Sequence, residues 1–358
     1  MDVFSLNKTG GQGRVVNGFD DLVWTERYAK PGEFKMTSAD LTLMDRLPIG
    51  SYISHFDTLE LMEVLDYTIE KKRGKTTKLS VTGATFDTAL EGRIVIPNLG
   101  GARVRATDEV NQLVLPAANS YAQAKTLIDM FLTGLSGPTV AGDHVTFVRC
   151  LNEVVGNEAE QLSRVIDRGQ LNTRVEELLA VSDCGLKSRR PSGNRTTIDI
   201  VVYKGRDVSD KVTLSAKMDE LEEATYFISK RKDKNAVFVC GKYDGYNVIY
   251  GSPTPVGLER RWIYVPAEDI EDNTDPTAYG EQFKARADEA RGSNKMIELT
   301  HTKTSEETAA RYGKDYSMGD LVGLAADFGV HTKMRVDEFV WSFDKDGVSG
   351  YPTLAPID

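Results

Sequence analysis

Four histidines, three cysteines and several acidic runs are the residues of this chain that could do chemistry. His55, His144, His301 and His331 form no H-x-x-x-H or H-x-H pair, and Cys150, Cys184 and Cys240 form no C-x-x-C pair. The spacing that zinc-type sites use is therefore missing. Asp344, Asp346 and Gly347 outline a calcium loop, but the glycine is at the wrong offset and no glutamate closes it, so a hairpin turn is the better reading. Glu60, Glu63, Asp66 and Glu70 could cleave a glycosidic bond only if two of them faced each other across a cleft. Their spacing reads instead as the solvated face of a strand. The glycines at 10–13 follow no apolar strand and precede no Gly-Lys-Ser/Thr, so they read as a turn rather than a phosphate loop. Gly100-Gly101 reads as a loop, and no G-x-S-x-G elbow occurs. The basic run at 230–234 reads as a solvated hairpin tip. Tyr243, Tyr246 and Tyr250 could form a stacking surface, but core-facing strand positions explain them better. His55 and His331, beside strand turns, read as surface residues. The expectation is a chain with no catalytic residue, no metal site and no cofactor.

The bulk properties bound the rest. The chain has 358 residues, enough for two or three domains, with 40% hydrophobic and 27% charged residues. Asp plus Glu number 54 against 44 Lys plus Arg, a net charge of -10. That acidity disfavours spontaneous coating of DNA or of an anionic membrane, but does not exclude a pore through which DNA merely passes, because an acidic wall would keep DNA from sticking. No stretch approaches the roughly 20 apolar residues of a membrane helix, and the first residues carry no secretory h-region. The cysteines then read as reduced and structural, and the sequons at Asn7 and Asn194 as chance matches.

Strands and turns fill the first hundred residues. Residues 22–29 and 33–37 alternate across Pro31-Gly32 and predict a hairpin. Residues 58–72 predict a strand burying Leu59, Leu61, Leu65, Tyr67 and Ile69, with a turn at 72–75 and a return strand at 77–86. Helices come next. One runs from an N-cap at Asn119 or Ser120 to Gly134, with Tyr121, Ala124, Leu127, Ile128 and Phe131 on one stripe. Residues 157–167 and 172–185 also read as helices, and 196–205 as a strand. Residues 224–242 predict a hairpin turning at 232–235. A helix follows over 276–291, capped by Asp275, opened by Pro276 and ended by Gly292, with Tyr279, Phe283 and Ala287 inward. The last sixty residues return to strands, turning at Phe328-Gly329 and at 344–347.

One outline occurs twice. Gly50 and Ile53 match Gly319 and Val322, and Met62-Glu63-Val64 matches Met334-Arg335-Val336, each with a turn between and a glycine turn after, at Gly74 and Gly347. Any two antiparallel meanders share such an outline. The alternative is a duplicated small β-barrel, one copy near each end, with helices inserted between.

Whole phrases add to this. Residues 22–36 (LVWTERYAKPGEFKM), 59–72, 77–96, 257–270 (GLERRWIYVPAEDI) and 312–324 (YGKDYSMGDLVGL) resemble, in the same order, the tail-hub or tail-associated baseplate proteins of siphophages infecting actinobacteria. The resemblance spans roughly residues 14 to 345, and is least at 137–157. It implies a family similar to the hubs of contractile tails and of type VI spikes. It implies a mainly β fold with inserted helices, α+β in class, holding two similar antiparallel β-barrel domains and an α/β middle region. The division would be a first barrel domain at 1–112, an inserted α/β domain at 113–205 and a second barrel domain at 206–358. No lysin or fibre extension is expected past Asp358. Function would be that of a homotrimeric hub at the virion tail tip, made in the host bacterial cytoplasm. It would join a sixfold tail tube to a threefold tip and form part of the channel for DNA. Its partners would be the distal tail protein ring, the tape measure protein and other tail-tip proteins, with transient passage of phage DNA. The alternative is a host-surface carbohydrate-binding or polysaccharide-cleaving tail protein.

Overall fold

Alternation along residues 21–27 builds one strand of the main sheet. Leu22 and Trp24 are buried while Asp21 and Val23 face solvent, the two-residue period of a half-covered strand. The turn at Pro31-Gly32 returns the chain into Glu33–Ser38, where Phe34 and Met36 are buried. The strands pair antiparallel with Trp24 opposite Phe34, as the sequence predicts.

The computed structural model describes residues 3–7, 13–71, 73–74, 76–95, 113–134, 144–155, 161–191, 197–215, 221–229, 234–241, 246–250, 254–267, 270, 276–292, 297–304, 310–325, 331–345 and 347–357. The chain forms two compact units. One comprises Met1–Glu223 and Thr302–Leu354, the other Ala224–His301 and Ala355–Asp358.

The main sheet runs in the order Val3–Leu6, Tyr52–His55, Met62–Glu70, Lys78–Thr85, Glu33–Ser38, Asp21–Arg27, His331–Asp344, Gly347–Pro356, Ile297–Thr304, Leu221–Ser229. Leu321–Ala325 pairs with His331–Asp344 and with Thr213–Ser215. The face expected of residues 58–72 needs correction. Leu61 is buried, but Leu59, Leu65 and Ile69 are exposed, and Met62 and Val64 point inward instead. The register slips between Val64 and Asp66, a bulge that turns the strand's faces over.

The doubled outline is structural. Gly50 and Gly319 both have positive φ, 79° and 83°. The Gly50 N–H donates to the Val64 carbonyl (2.8 Å), and the Val64 N–H to Ser51 O (2.9 Å). The Gly319 N–H donates to the Val336 carbonyl (2.9 Å), and the Val336 N–H to Asp320 O (3.0 Å). Ile53 faces Met62 as Val322 faces Met334. The likeness extends to five strands. Asp21–Arg27, Glu33–Ser38, Tyr52–His55, Met62–Glu70 and Lys78–Thr85 form one set. Leu221–Ser229, Ile297–Thr304, Leu321–Ala325, His331–Asp344 and Gly347–Pro356 form the other. Numbered along the chain, both sets lie side by side in the order third, fourth, fifth, second, first.

The sets differ at two points. The third strand's other neighbour is antiparallel Val3–Leu6 in one and parallel Thr213–Ser215 in the other. The first and second strands are joined by a short turn after Arg27 in one set, and by residues 230–296 in the other. Between the sets runs a seam where Asp21–Arg27 pairs antiparallel with His331–Asp344, Trp24 opposite Trp341.

The middle of the chain packs a second core within the first unit. Helix Ser120–Ile128 buries Tyr121, Ala124, Leu127 and Ile128, and a wider turn, Asp129–Thr133, carries it to Gly134. Asn119 is the N-cap, but its side-chain amide donates to Tyr121 Oη (2.6 Å) rather than capping the helix. Helix Leu171–Val181 packs beside it over the strands Val148–Asn152, Ile198–Tyr203 and Gly185–Arg189. The helix expected at 157–167 is not formed by its described part. Leu162–Ile166 is a strand paired with Leu113–Ala118, and the Gln123 side chain donates to Leu162 O (2.7 Å) and Pro116 O (2.9 Å). Tertiary pairing here outweighs local propensity.

In the second unit, Ala236–Cys240 lies between antiparallel Tyr246–Tyr250 and parallel Trp262–Pro266. The hairpin expected over 224–242 is thus corrected: both strands exist, but Ala236–Cys240 takes other partners. Val237 and Val239 are buried with Phe283 and Ala287 of helix Pro276–Gly292. Gly292 is the helix's last residue, and Asp275 lies outside the described residues. So do Tyr243, residues 230–233, Phe328-Gly329, Gly10 to Gln12 and Gly100-Gly101.

Candidate functional site

Ionisable side chains gather beneath the seam. In Asp21–Arg27 the burial loses its alternation, and Trp24, Thr25 and Glu26 are all covered. The Trp24 indole N–H donates to Glu26 Oε1 (3.3 Å), and the Tyr312 hydroxyl to Oε2 (2.8 Å). Burial raises the Glu26 pKa, against hydrogen bonds from Thr58, Tyr312 and Trp24 that lower it. Glu60, half-buried, is raised well above the usual carboxylate range, by desolvation first and by the Glu26 charge second. Lys187 lies with its ammonium 3.8 Å from the centre of the Tyr203 ring, and burial lowers its pKa. Burial likewise pushes the Tyr203 and Tyr312 phenols well up.

Two sequence expectations are corrected here. Glu60 does not sit on a solvated face, although Asp66 and Glu70 do. His55 is not a surface turn residue. Its ring is fully buried, edge-on to Trp24 (4.9 Å), Trp341 (5.7 Å) and Phe343 (5.6 Å). Its cover comes from a strand nearly three hundred residues away, which no local pattern reveals. Burial lowers the His55 pKa to about 3, with Arg190 contributing. His331 is exposed, as expected.

Tyr28 ties the middle region to the seam. Its hydroxyl donates to Asp183 O (2.9 Å), and its own carbonyl accepts from the Leu186 N–H (3.1 Å). Its N–H donates to Asp337 O (2.9 Å), and the Arg335 guanidinium lies 4.9 Å from its ring centre. Arg335 also pairs with Asp183 and Asp337.

These groups could share or trade protons, but each is engaged within the fold. The surface depression lined by Asp20, Asp21, Thr37, Ser38 and Lys78 includes none of them. Among the described residues no cluster of three or more His, Cys, Asp and Glu is placed to hold a metal. Cys150 and Cys184 are buried thiols and Cys240 is half-buried, and none of the three is in a disulfide.

Asp87 offers a direct test of this buried electrostatics. It is buried in the turn Phe86–Leu90, and desolvation raises its pKa to about 6, against a Thr85 hydrogen bond that lowers it. A raised carboxyl stabilises the fold at low pH, and that stability is lost as pH rises from about 4 through about 6. Asp87→Asn is therefore expected to gain about 2 kcal/mol relative to wild type on going from pH 4 to pH 7.5. Urea unfolding at both pH values measures this, and an equal difference at both would refute it.

A model of the siphovirus ReqiPepy6 Gp37-like proteins matches residues 6–353. The chain belongs to this family. Among curated proteins nothing matches its sequence significantly. Solved structures share its fold at low identity. The 43 kDa tail protein of prophage MuSo2 from Shewanella oneidensis aligns over 99% of this chain and 98% of its own, at 12% identity and a TM-score of 0.61. A tail protein from Neisseria meningitidis MC58 aligns over 99% and 97%, at 13% identity and 0.58. Prophage tail protein gp18 from Listeria monocytogenes EGD-e aligns over 99% and 94%, at 11% and 0.56. The family member described here is thus mainly β with a few helices and has the fold of phage tail proteins, as the residue phrases imply.

Proposed function

We propose that this protein is a structural component of the virion, a homotrimeric hub at the tail tip that joins a sixfold tail tube to a threefold tip. The observation that carries the reading is the five-strand set that occurs twice in one chain. Symmetric contacts need equivalent patches. Three chains with two equivalent sets each offer six such patches, which resolves a three-to-six mismatch. Membership of a siphovirus family and the tail-protein fold support the same reading. In it the chain is not an enzyme. Residues 1–112 and 206–358 are the two barrel domains, and 113–205 is an inserted domain. The distal tail protein ring, the tape measure protein and other tail-tip proteins are the neighbours, and DNA passes without being held. The net charge of -10 per chain supports that passage, with a lumen kept acidic or neutral. The mass of the purified oligomer tests the reading. Three chains per particle are expected, and a stable monomer or a hexamer overturns it. A channel lined mainly by Lys and Arg in the assembled ring overturns the lumen assignment.

A further inference from the structure

We propose that the second unit binds an acidic polysaccharide on the sheet face turned away from its helix. That face carries a row of aromatic rings with cations at one end. It lies within one unit of one chain, so it does not rest on the trimer reading above.

Alternation along the strands sorts their residues onto two faces. Val237 and Val239, with Ile263 and Val265, pack against Phe283 and Ala287 of helix Pro276–Gly292. Phe238, Trp262 and Tyr264 alternate with them and fall on the other side. The register sets Phe238 opposite Tyr264, and their rings stack with centres 6.1 Å apart and planes 21° apart. Trp262 stands two residues before Tyr264, about 6.6 Å along the strand. An outer face of this kind ordinarily carries polar residues. Here Trp262 and Tyr264 are 44% and 63% exposed. Cations gather at the Trp262 end. The Arg260 guanidinium lies 5.8 Å from the Trp262 ring centre, and its Nε donates to Pro255 O (3.0 Å). Arg261 and Lys234 are half-buried at the same end, with Glu259 as the carboxylate among them. Asn235 pins this end, its Nδ2 donating to Glu259 O (2.8 Å) and its Oδ1 accepting from the Arg261 N–H (2.8 Å).

Size and charge select the occupant. A stable protein partner covers about 800 Å² per side, whereas three strands of five residues span only about 240 Å². A nucleic acid carries a phosphate at every residue and needs cations along its whole path. These three strands contain no charged residue, and the chain as a whole has a net charge of -10. A saccharide fits both features. The C–H groups on the flat side of a sugar ring carry partial positive charge and meet the negative face of an indole or phenol. An acid group on one ring then reaches the cations at the Trp262 end, where a guanidinium can grip a carboxylate with two parallel hydrogen bonds.

The test titrates the full chain with tetragalacturonate, an acidic saccharide, and with maltotetraose, a neutral one, by calorimetry and tryptophan emission. Saturable binding of tetragalacturonate is expected, tighter than that of maltotetraose. Trp262→Ala should weaken it roughly tenfold or more, while Trp262→Phe keeps most of it and both variants keep the wild-type circular dichroism. Arg260→Gln should abolish the preference for the acidic saccharide and leave maltotetraose binding unchanged. Leu258→Ser, in the fully exposed turn nearby, should change neither. If neither saccharide saturates the wild-type chain, the proposal is overturned without depending on how any variant folds. Wild-type affinity in Trp262→Ala overturns the site, and an unchanged preference in Arg260→Gln overturns the acidic assignment. Tighter binding of oligodeoxythymidylate, lost in Trp262→Ala, shows a nucleic acid in that place and overturns the proposal. So does a tail protein bound through Trp262 and Leu258 together while both saccharides fail.

Discussion

Gly319→Ala is expected to cost about 3 kcal/mol or more of stability, a large share of what a typical domain has. Two costs add at this position. Gly319 holds φ at +83°, a conformation that charges an L-residue about 1–2 kcal/mol. A Cβ there would also lie 2.3 Å from Tyr28 Cε2 and 2.6 Å from Cδ2. Tyr28 cannot give way. Its hydroxyl, N–H and carbonyl are all bonded, its ring meets Tyr203 edge-on at 5.3 Å, and a Cβ at Gly185 would also lie only 2.5 Å from the same Cδ2 and Cε2 atoms. Overpacking of this kind adds about 1–3 kcal/mol. Gly74→Ala is the control, because Gly74 has nearly the same φ, +77°, and a Cβ there would meet nothing within 4 Å. It should lose only the backbone part, about 1–2 kcal/mol. Denaturant midpoints compare the two, and equal losses would show that Tyr28 is free to move.

The second large effect is on acid stability. His55 is held near pKa 3, whereas an unfolded histidine titrates near 6.5. The unfolded chain therefore binds the extra proton first. The stability from this site is complete above about pH 6.5 and falls by about 1.4 kcal/mol per pH unit as pH drops toward 3. His55→Leu removes that proton while keeping an apolar side chain among Trp24, Trp341 and Phe343. Between pH 7.5 and pH 4 the variant should gain about 3 kcal/mol relative to wild type. Unfolding midpoints across that range decide it, and parallel pH profiles for the two proteins would sink the argument. Asp87 works in the opposite sense, since its raised carboxyl favours low pH. The pH of greatest stability reflects both.

Much of the fold was legible because local chemistry fixed it. Pro31-Gly32 made a turn, the stripe from Tyr121 to Phe131 made a helix, and the matched glycines at 50 and 319 marked real equivalent turns. What escaped was set by distance. No neighbour in sequence says that Leu162–Ile166 pairs with Leu113–Ala118, or that Ala236–Cys240 prefers Trp262–Pro266 to the strand before it. The bulge after Val64 is equally silent, because its cause is the register with Lys78–Thr85. The buried cluster was illegible for the same reason. Glu26, Glu60 and Lys187 look like surface charges until strands from both ends of the chain close over them.

The place where the second unit enters the chain has a consequence for how such proteins can diversify. In one set a turn of a few residues joins the first two strands, and in the other nearly seventy residues do the same work. The two strands are sheet neighbours, so their ends are held close whatever connects them. The entropy of closing a longer connection grows only with the logarithm of its length, about 0.6 kcal/mol per doubling. The site is thus a socket. Modules of different size and surface can be exchanged there over evolutionary time while the ladder of strands around it keeps its register.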